Sequence, residues 1–232
     1  MQTPFPEPTC VDEFFFTKAS ERQVLLNILG RKQPFPANGI CGILLWGTYG
    51  TGKTTLARLL PNLLDQSLDP SVAPCANPAQ LNANDSTHYL LISCGKTNGP
   101  EVHKQIKEHT KLNPCFNAAR LHYVVMDEVD ELTVQAQSSL KASMNGSQVV
   151  FIMTTNHLPK LNAGLRNRVL TLEMNQHPAV ALRALGARVV SHMGANPTQI
   201  TQVKYDQIAQ ASNGSLRSYR QALTEVAIML RQ

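Results

Sequence analysis

The chain has 232 residues, 43% hydrophobic and 16% charged, enough for one substantial core and a small second one. No run approaches the roughly 20 apolar residues of a membrane span, and Met1 to Pro6 has neither the basic start nor the apolar stretch of an export signal, so a cytoplasmic protein without a membrane partner is expected. The net charge of +5 is unevenly spread: residues 1–160 hold thirteen basic and thirteen acidic side chains, residues 161–232 eight and three, and a C-terminal basic excess suits a polyanionic partner. Cys10, Cys41, Cys75, Cys94 and Cys115 are odd in number and show no C-x-x-C spacing, so they read as thiols. Cys41 and Cys94 lie inside apolar runs as small hydrophobes, and the other three lie near prolines in loops.

Along the chain, a Pro-rich start leads into Phe14-Phe15-Phe16 and a helical pattern over 20–29, with Ser20 as N-cap and Val24, Leu25, Ile28 and Leu29 on one face. A loop over 31–39 precedes Ile40 to Trp46, a continuous apolar run of the kind found in a strand covered on both faces. A helix opens near Gly52, and residues 65–87, with three Asp, three Asn and three Pro, read as a loop or insertion. Strands follow at 88–94, 121–126 and 149–154, separated by helical patterns at 100–111 and 133–144, with a short strand at 169–172. This alternation predicts an α/β fold with a doubly wound parallel sheet. Past Pro178 only helices are readable, over 178–193, 202–211 and 214–231, the last carrying Leu216, Tyr219, Leu223, Val226 and Leu230 at helical spacing. A boundary near Gln176 divides the chain into a core, 1–176, and a small helical domain, 177–232.

Gly47-Thr48-Tyr49-Gly50-Thr51-Gly52-Lys53-Thr54 matches G-x-x-x-x-G-K-[ST] between a buried strand and a helix start, which is where a phosphate-binding loop must lie. Its glycines let backbone N–H groups converge on phosphates, the helix N-terminus adds positive dipole, and Lys53 supplies charge to the β and γ phosphates. Thr54 is a magnesium ligand candidate, and Thr55 completes the expected ATP-binding set. The strand Tyr123 to Met126 ends in Asp127-Glu128, a Walker B pattern. Asp127 is expected to hold Mg²⁺ and Glu128 to orient or deprotonate the attacking water, a pairing that favours ATP hydrolysis over mere binding.

Asp127-Glu128-Val129-Asp130-Glu131-Leu132-Thr133, followed by Ala136-Gln137-Ser138-Ser139-Leu140-Lys141, resembles the D-E-x-D-x-[LM]-T-x-x-A-Q-x-x-L-[KR] stretch of AAA+ ATPases of the replication clamp-loader group. The resemblance covers about residues 10–232 and implies a P-loop NTPase core of AAA+ type with a helical lid. Phe151 to Asn156 is similar to the sensor 1 strand, which implies Asn156 as the group reading the γ-phosphate or aligning the water. Asn167-Arg168-Val169 stands where the family has S-R-C, implying Arg168 as an arginine finger given to a neighbouring subunit, with Arg166 as the alternative. Asn213 to Arg217 is similar to sensor 2, implying that Arg217 contacts the γ-phosphate of its own subunit.

The segment Ser93 to Val102 matches a region that in the family leads to a helix near DNA, and Lys104, Lys107 and Lys111 fall on one helical face. With Lys96 they are the DNA-contact candidates, set against a solvated face offset by Glu101 and Glu108. Lys141 matches a basic position linked in the family to coupling of DNA and hydrolysis, whereas Asn145 replaces a usual acid. The chain ends where family members continue into a collar, which implies a minimal relative or a different assembly. The function expected is that of an ATPase acting as a homo- or hetero-oligomer on DNA, a replication protein or both. The alternatives are a non-catalytic ATP-dependent adaptor and a protein-remodelling motor. Gly95 to Pro100 lacks the aromatic residue that a threading motor needs.

Overall fold

The structure, a computed structural model, describes residues 5–111, 114, 116–144, 148–175, 177 and 179–231. The positions of Cys115 and Asn145 and the expected boundary at Gln176 lie outside them. Five strands form one parallel sheet: β1 (Gly42–Trp46), β2 (Tyr89–Ser93), β3 (His122–Asp127), β4 (Val149–Thr155) and β5 (Val169–Glu173), in the order β2-β3-β4-β1-β5. The register pairs Trp46 with both Thr155 and Glu173, and Ser93 with Asp127, so the carboxyl ends of all five strands reach one edge. Open parallel sheets bind ligands at that edge.

Side chains alternate across the sheet with the period of two that strands impose. Ile43, Leu45, Tyr123, Val125, Val150 and Ile152 point to one face, where they meet α1 (Ala19–Leu29) and α2 (Lys53–Leu68). Leu44, Val124, Met126, Phe151 and Met153 point to the other, against α3 (Gly99–His109), α4 (Val134–Ser143) and α5 (Ala163–Arg166). Burial on both faces explains why the inner strands β1, β3 and β4 read as unbroken apolar runs. The expected α/β class and doubly wound sheet are what the structure shows. The helices α6 (Ala179–His192), α7 (Gln202–Ala211) and α8 (Leu216–Met229) enclose a separate apolar cluster built on Val189, Val190, Tyr205, Tyr219 and Leu223. Leu230, expected on the apolar face of the last helix, lies beyond α8 and is exposed.

Several boundaries depart from expectation. Helix α1 starts at Ala19 after Lys18, so Ser20 is inside it rather than its cap. The segment read as a loop from residue 65 begins as helix, because α2 runs on to Leu68. Asp65, in its last turn, is 4% exposed and accepts hydrogen bonds from the amides of Ala118 (2.9 Å) and Ala119 (3.0 Å) and from the Tyr123 hydroxyl (3.3 Å). A buried carboxylate is tolerated where donors surround it in this way. The Tyr123 phenol is pushed up by burial and by the neighbouring Asp65 charge, which keeps it a donor. Asp65→Ala leaves these donors without their acceptor, and we expect a loss of about 2–4 kcal/mol, seen as a melting temperature lower by roughly 5–15 °C. Urea unfolding that shows no change would place these bonds outside the stability of the fold.

Candidate functional site

The phosphate loop leaves β1 at the carboxyl edge of the sheet and turns into α2 through Gly47, Gly50 and Gly52, all at positive φ (153°, 76° and 94°). Two of these glycines are also required by what packs on them. A Cβ on Gly47 would stand 2.8 Å from Asn175 Oδ1 and 3.0 Å from the Met174 carbonyl, and one on Gly50 would collide with Ser215 Oγ, just before α8. The loop therefore fits closely against both the end of β5 and the three-helix unit.

Lys53 opens α2 with its side chain folded back, donating to the carbonyls of Gly47 (2.9 Å) and Thr48 (2.6 Å), and it is 6% exposed. Burial draws its pKa down to about 8, against the pull of Asp127, Asp130 and Glu128, while Arg217 works in the same direction as burial. The ammonium is still mostly charged at neutral pH, a buried cation at the mouth of a helix N-terminus. Next to it, Thr54 Oγ1 donates to Asp127 Oδ1 (2.9 Å). Thr154 Oγ1 donates to the same oxygen (2.5 Å) and accepts from the Glu128 amide (2.9 Å), so one hydroxyl on β4 fixes both acids at the end of β3. Glu128 adopts left-handed φ (58°), a costly backbone state for a residue with a side chain. Its exposed carboxylate faces Gly95 in the turn after β2, where an added Cβ would be 3.3 Å from Glu128 Oε2. Asp130 is buried and accepts from Thr155 Oγ1 (2.8 Å).

Lys53, Thr54, Asp127, Glu128 and Thr154 line a cavity of about 420 Å³ together with Tyr49, Thr51, Thr55, Asn156 and Arg217. Its lining also has an apolar part, Phe5, Pro8, Phe14, Phe15, Leu185 and Leu216, with Glu13 and Arg220 among them. A cationic end with oxygen donors joined to an aromatic and aliphatic end suits a ligand that is polyanionic at one end and flat at the other. The hydroxyl of Thr54 and the carboxylate of Asp127, hydrogen-bonded side by side, are the hard oxygen donors that Mg²⁺ takes. Arg217 lies in the first turn of α8, and its amide donates to the Gly50 carbonyl (3.3 Å). Arg220, one turn on, stacks 4.6 Å over the Phe5 ring.

The other expected residues lie elsewhere. Arg168 immediately precedes β5, its carbonyl accepting from the Cys41 amide (3.0 Å), and Arg166 ends α5 with its side chain exposed. Both are at the amino edge of the sheet, a strand length of roughly 16 Å from the cavity. Lys96, Lys104 and Lys107 are exposed. Lys111 falls outside the row expected on one helical face, because α3 ends at His109 and Thr110 caps it. Asn175 and the Phe14-Phe15 wall carry no motif of their own, and Thr154 lies in the segment similar to sensor 1 without being marked out by it. The only local signal was the aromatic run at 14–16, whose lack of helical period sets it apart from α1.

Comparison with known proteins agrees with this geometry. The pattern of the "ATPase family associated with various cellular activities (AAA)" matches residues 43–175, from β1 to the end of β5. The chain is 23% identical over 196 residues to a replication factor C small subunit of Haloarcula marismortui, covering 82% of this chain and 54% of that protein. It is 24% identical over 137 residues to a DNA polymerase III subunit gamma of Buchnera aphidicola, covering 57% and 37% respectively. The chain thus spans about half or less of the length of these curated relatives. In structure it is similar to a point variant of Thermotoga maritima RuvB, with a TM-score of 0.69 and 20% identity over 98% of this chain and 67% of that one, which shows the fold. The same holds for the chain titled Thermotoga maritima RuvB Holliday junction branch migration motor, at a TM-score of 0.65 and 18% identity, covering 98% and 67%. The kinship expected from the Asp127-to-Lys141 stretch is therefore the kinship found, and the chain belongs to the AAA ATPase family, related to subunits of clamp loaders.

Proposed function

We propose that this chain hydrolyses Mg-ATP as one subunit of an oligomer that acts on DNA or on a DNA-bound replication protein. The observation that carries this reading is the division of charge across the sheet. The phosphate loop, Asp127 and Glu128 stand at the carboxyl edge, and Arg168 stands at the amino edge, out of reach of its own cavity. An arginine there serves only a neighbouring copy or homologous subunit, in a head-to-tail contact. In this reading Lys53 and the loop amides hold the phosphates, and Glu128 orients and deprotonates the attacking water. Asn156 aligns that water, and Arg217 reads the γ-phosphate from α8. Magnesium, held by Thr54 and Asp127, would neutralise phosphate charge. The Phe14-Phe15 end takes the base. Residues 1–176 form the catalytic core and 177–232 its lid.

Support for DNA comes from the related replication proteins and from three exposed lysines, Lys96 in the turn after β2 and Lys104 and Lys107 on α3. Contacts of this kind weaken as salt rises. ATP turnover per subunit, measured against protein concentration with and without primed DNA, tests the proposal. A site completed by a neighbour gives specific activity that climbs with concentration and climbs further with DNA. Turnover absent under every condition would favour a non-catalytic adaptor, and turnover independent of concentration would place the whole site in one chain.

A further inference from the structure

We infer that Asn175 is a positioning residue for the nucleotide site, a bridge that passes the state of the phosphate loop to the three-helix unit. The inference rests on reading Gly47 to Thr54 as the nucleotide loop. The peptide plane between Gly47 and Thr48 is held from both sides. Its carbonyl accepts from Lys53 Nζ (2.9 Å), and its N–H donates to Asn175 Oδ1 (2.7 Å).

Asn175 is tied to three further segments. Its Nδ2 donates to Glu173 Oε1 (2.9 Å), and its own amide donates to Thr17 Oγ1 (2.9 Å). Its carbonyl lies 3.6 Å from the position a Cβ on Gly214 would take. A backbone N–H on one side and a carboxylate on the other leave a single orientation for the amide group, oxygen to the loop and nitrogen to β5. Asn175 stands between the end of β5 and the start of α6, and Gly214 stands just before α8. The loop is thus joined to the three-helix unit twice, by Thr48 through Asn175 and by Gly50 through the Arg217 amide.

The consequence follows from where the Lys53 charge goes. In the structure its ammonium donates to two loop carbonyls. With a polyphosphate in place, charge-assisted bonds to phosphate oxygens are stronger, and the ammonium turns to them. The Gly47–Thr48 peptide then keeps one of its two holds, the one to Asn175. Rotation about Gly47 is cheap because the residue has no Cβ, so a turn of that peptide is felt at Asn175 and, across its carbonyl, at Gly214 before α8. Asparagine suits this place because it accepts from an N–H and donates to a carboxylate at once. Aspartate keeps the acceptor, but loses the donor and faces Glu173 as a like charge.

The test is a cycle on the full chain, with ATP and ADP affinities read from Trp46, the one tryptophan of the sequence and the neighbour of Gly47. In the wild type, Arg217→Ala should lower the preference for ATP over ADP. Asn175→Ala should lower it about tenfold by itself, about 1.4 kcal/mol, and a further Arg217→Ala should then add less than about twofold. Asn175→Asp, which keeps the bond to Thr48, should lose the preference as well and carries the test if the alanine variant does not fold. A preference retained in Asn175→Asp, or Arg217 and Asn175 effects that multiply, would overturn the bridge and leave the nucleotide site standing. A wild type that binds both alike would overturn the bridge alone, and one that binds neither nucleotide would overturn both.

Discussion

Replacing Glu128 with Gln should leave ATP bound and stop its hydrolysis. The side chain is exposed at the cavity mouth, so the isosteric amide costs the fold little. Its backbone is held by the Thr154 hydroxyl rather than by its own carboxylate, so Asp127 and Thr54 keep their places. In the proposed reading, what is lost is the group that takes a proton from water near the γ-phosphate. A general base contributes about 10²–10⁴ in rate, and the expected fall in kcat is of that size. ATP affinity should change by less than about threefold, or ~0.65 kcal/mol. Phosphate release together with ATP binding checks this. A variant that still turns over at a tenth of the wild-type rate would remove Glu128 from the chemistry, and one that no longer binds ATP would make the residue structural.

Arg168→Ala should be nearly as damaging, for a different reason. The guanidinium is absent from the cavity of its own chain, and the loss appears only where a neighbour's cavity meets it. A planar fork of donors entering a phosphoryl-transfer site is worth on the order of a thousandfold or more, about 4 kcal/mol of barrier. Nucleotide affinity of the isolated chain should be unaffected. Arg166→Ala, two residues away on the exposed end of α5, is the control: the smaller effect is expected there, and an equal or larger one would move the finger to Arg166.

Features that depend on short sequence spacing were legible before the fold was known. The strand and helix alternation, the phosphate loop and the acidic pair each occupy a few consecutive residues, and each has the geometry those residues predict. Legibility failed where partners are distant in sequence. The last turn of α2 reads as loop because residues 65–87 are rich in Asp, Asn and Pro without a period, whereas Asp65 is held there by the amides of Ala118 and Ala119 and the Tyr123 hydroxyl, distant in sequence. Thr154 reads as an ordinary strand residue until the pairing of β3 with β4 brings it to Asp127. Asn175 is 127 residues from the amide it holds. The lysine row expected on one face runs two residues past the helix, because apolar periodicity does not mark where Thr110 ends α3. In each case a tertiary contact decided what a local pattern left open.

If two chains share each active site, mixing two inactive variants tests that sharing most directly. Lys53→Ala removes the buried cation of the phosphate loop but leaves Arg168 intact, whereas Arg168→Ala does the reverse. Each protein alone should be nearly without ATPase activity. Mixed, an intact loop on one chain faces an intact arginine on the next, and turnover should reappear at a sizeable fraction of the wild-type rate, rising with total protein concentration. A mixture as inactive as its components, or an Arg168→Ala protein already active by itself, would contradict the shared site.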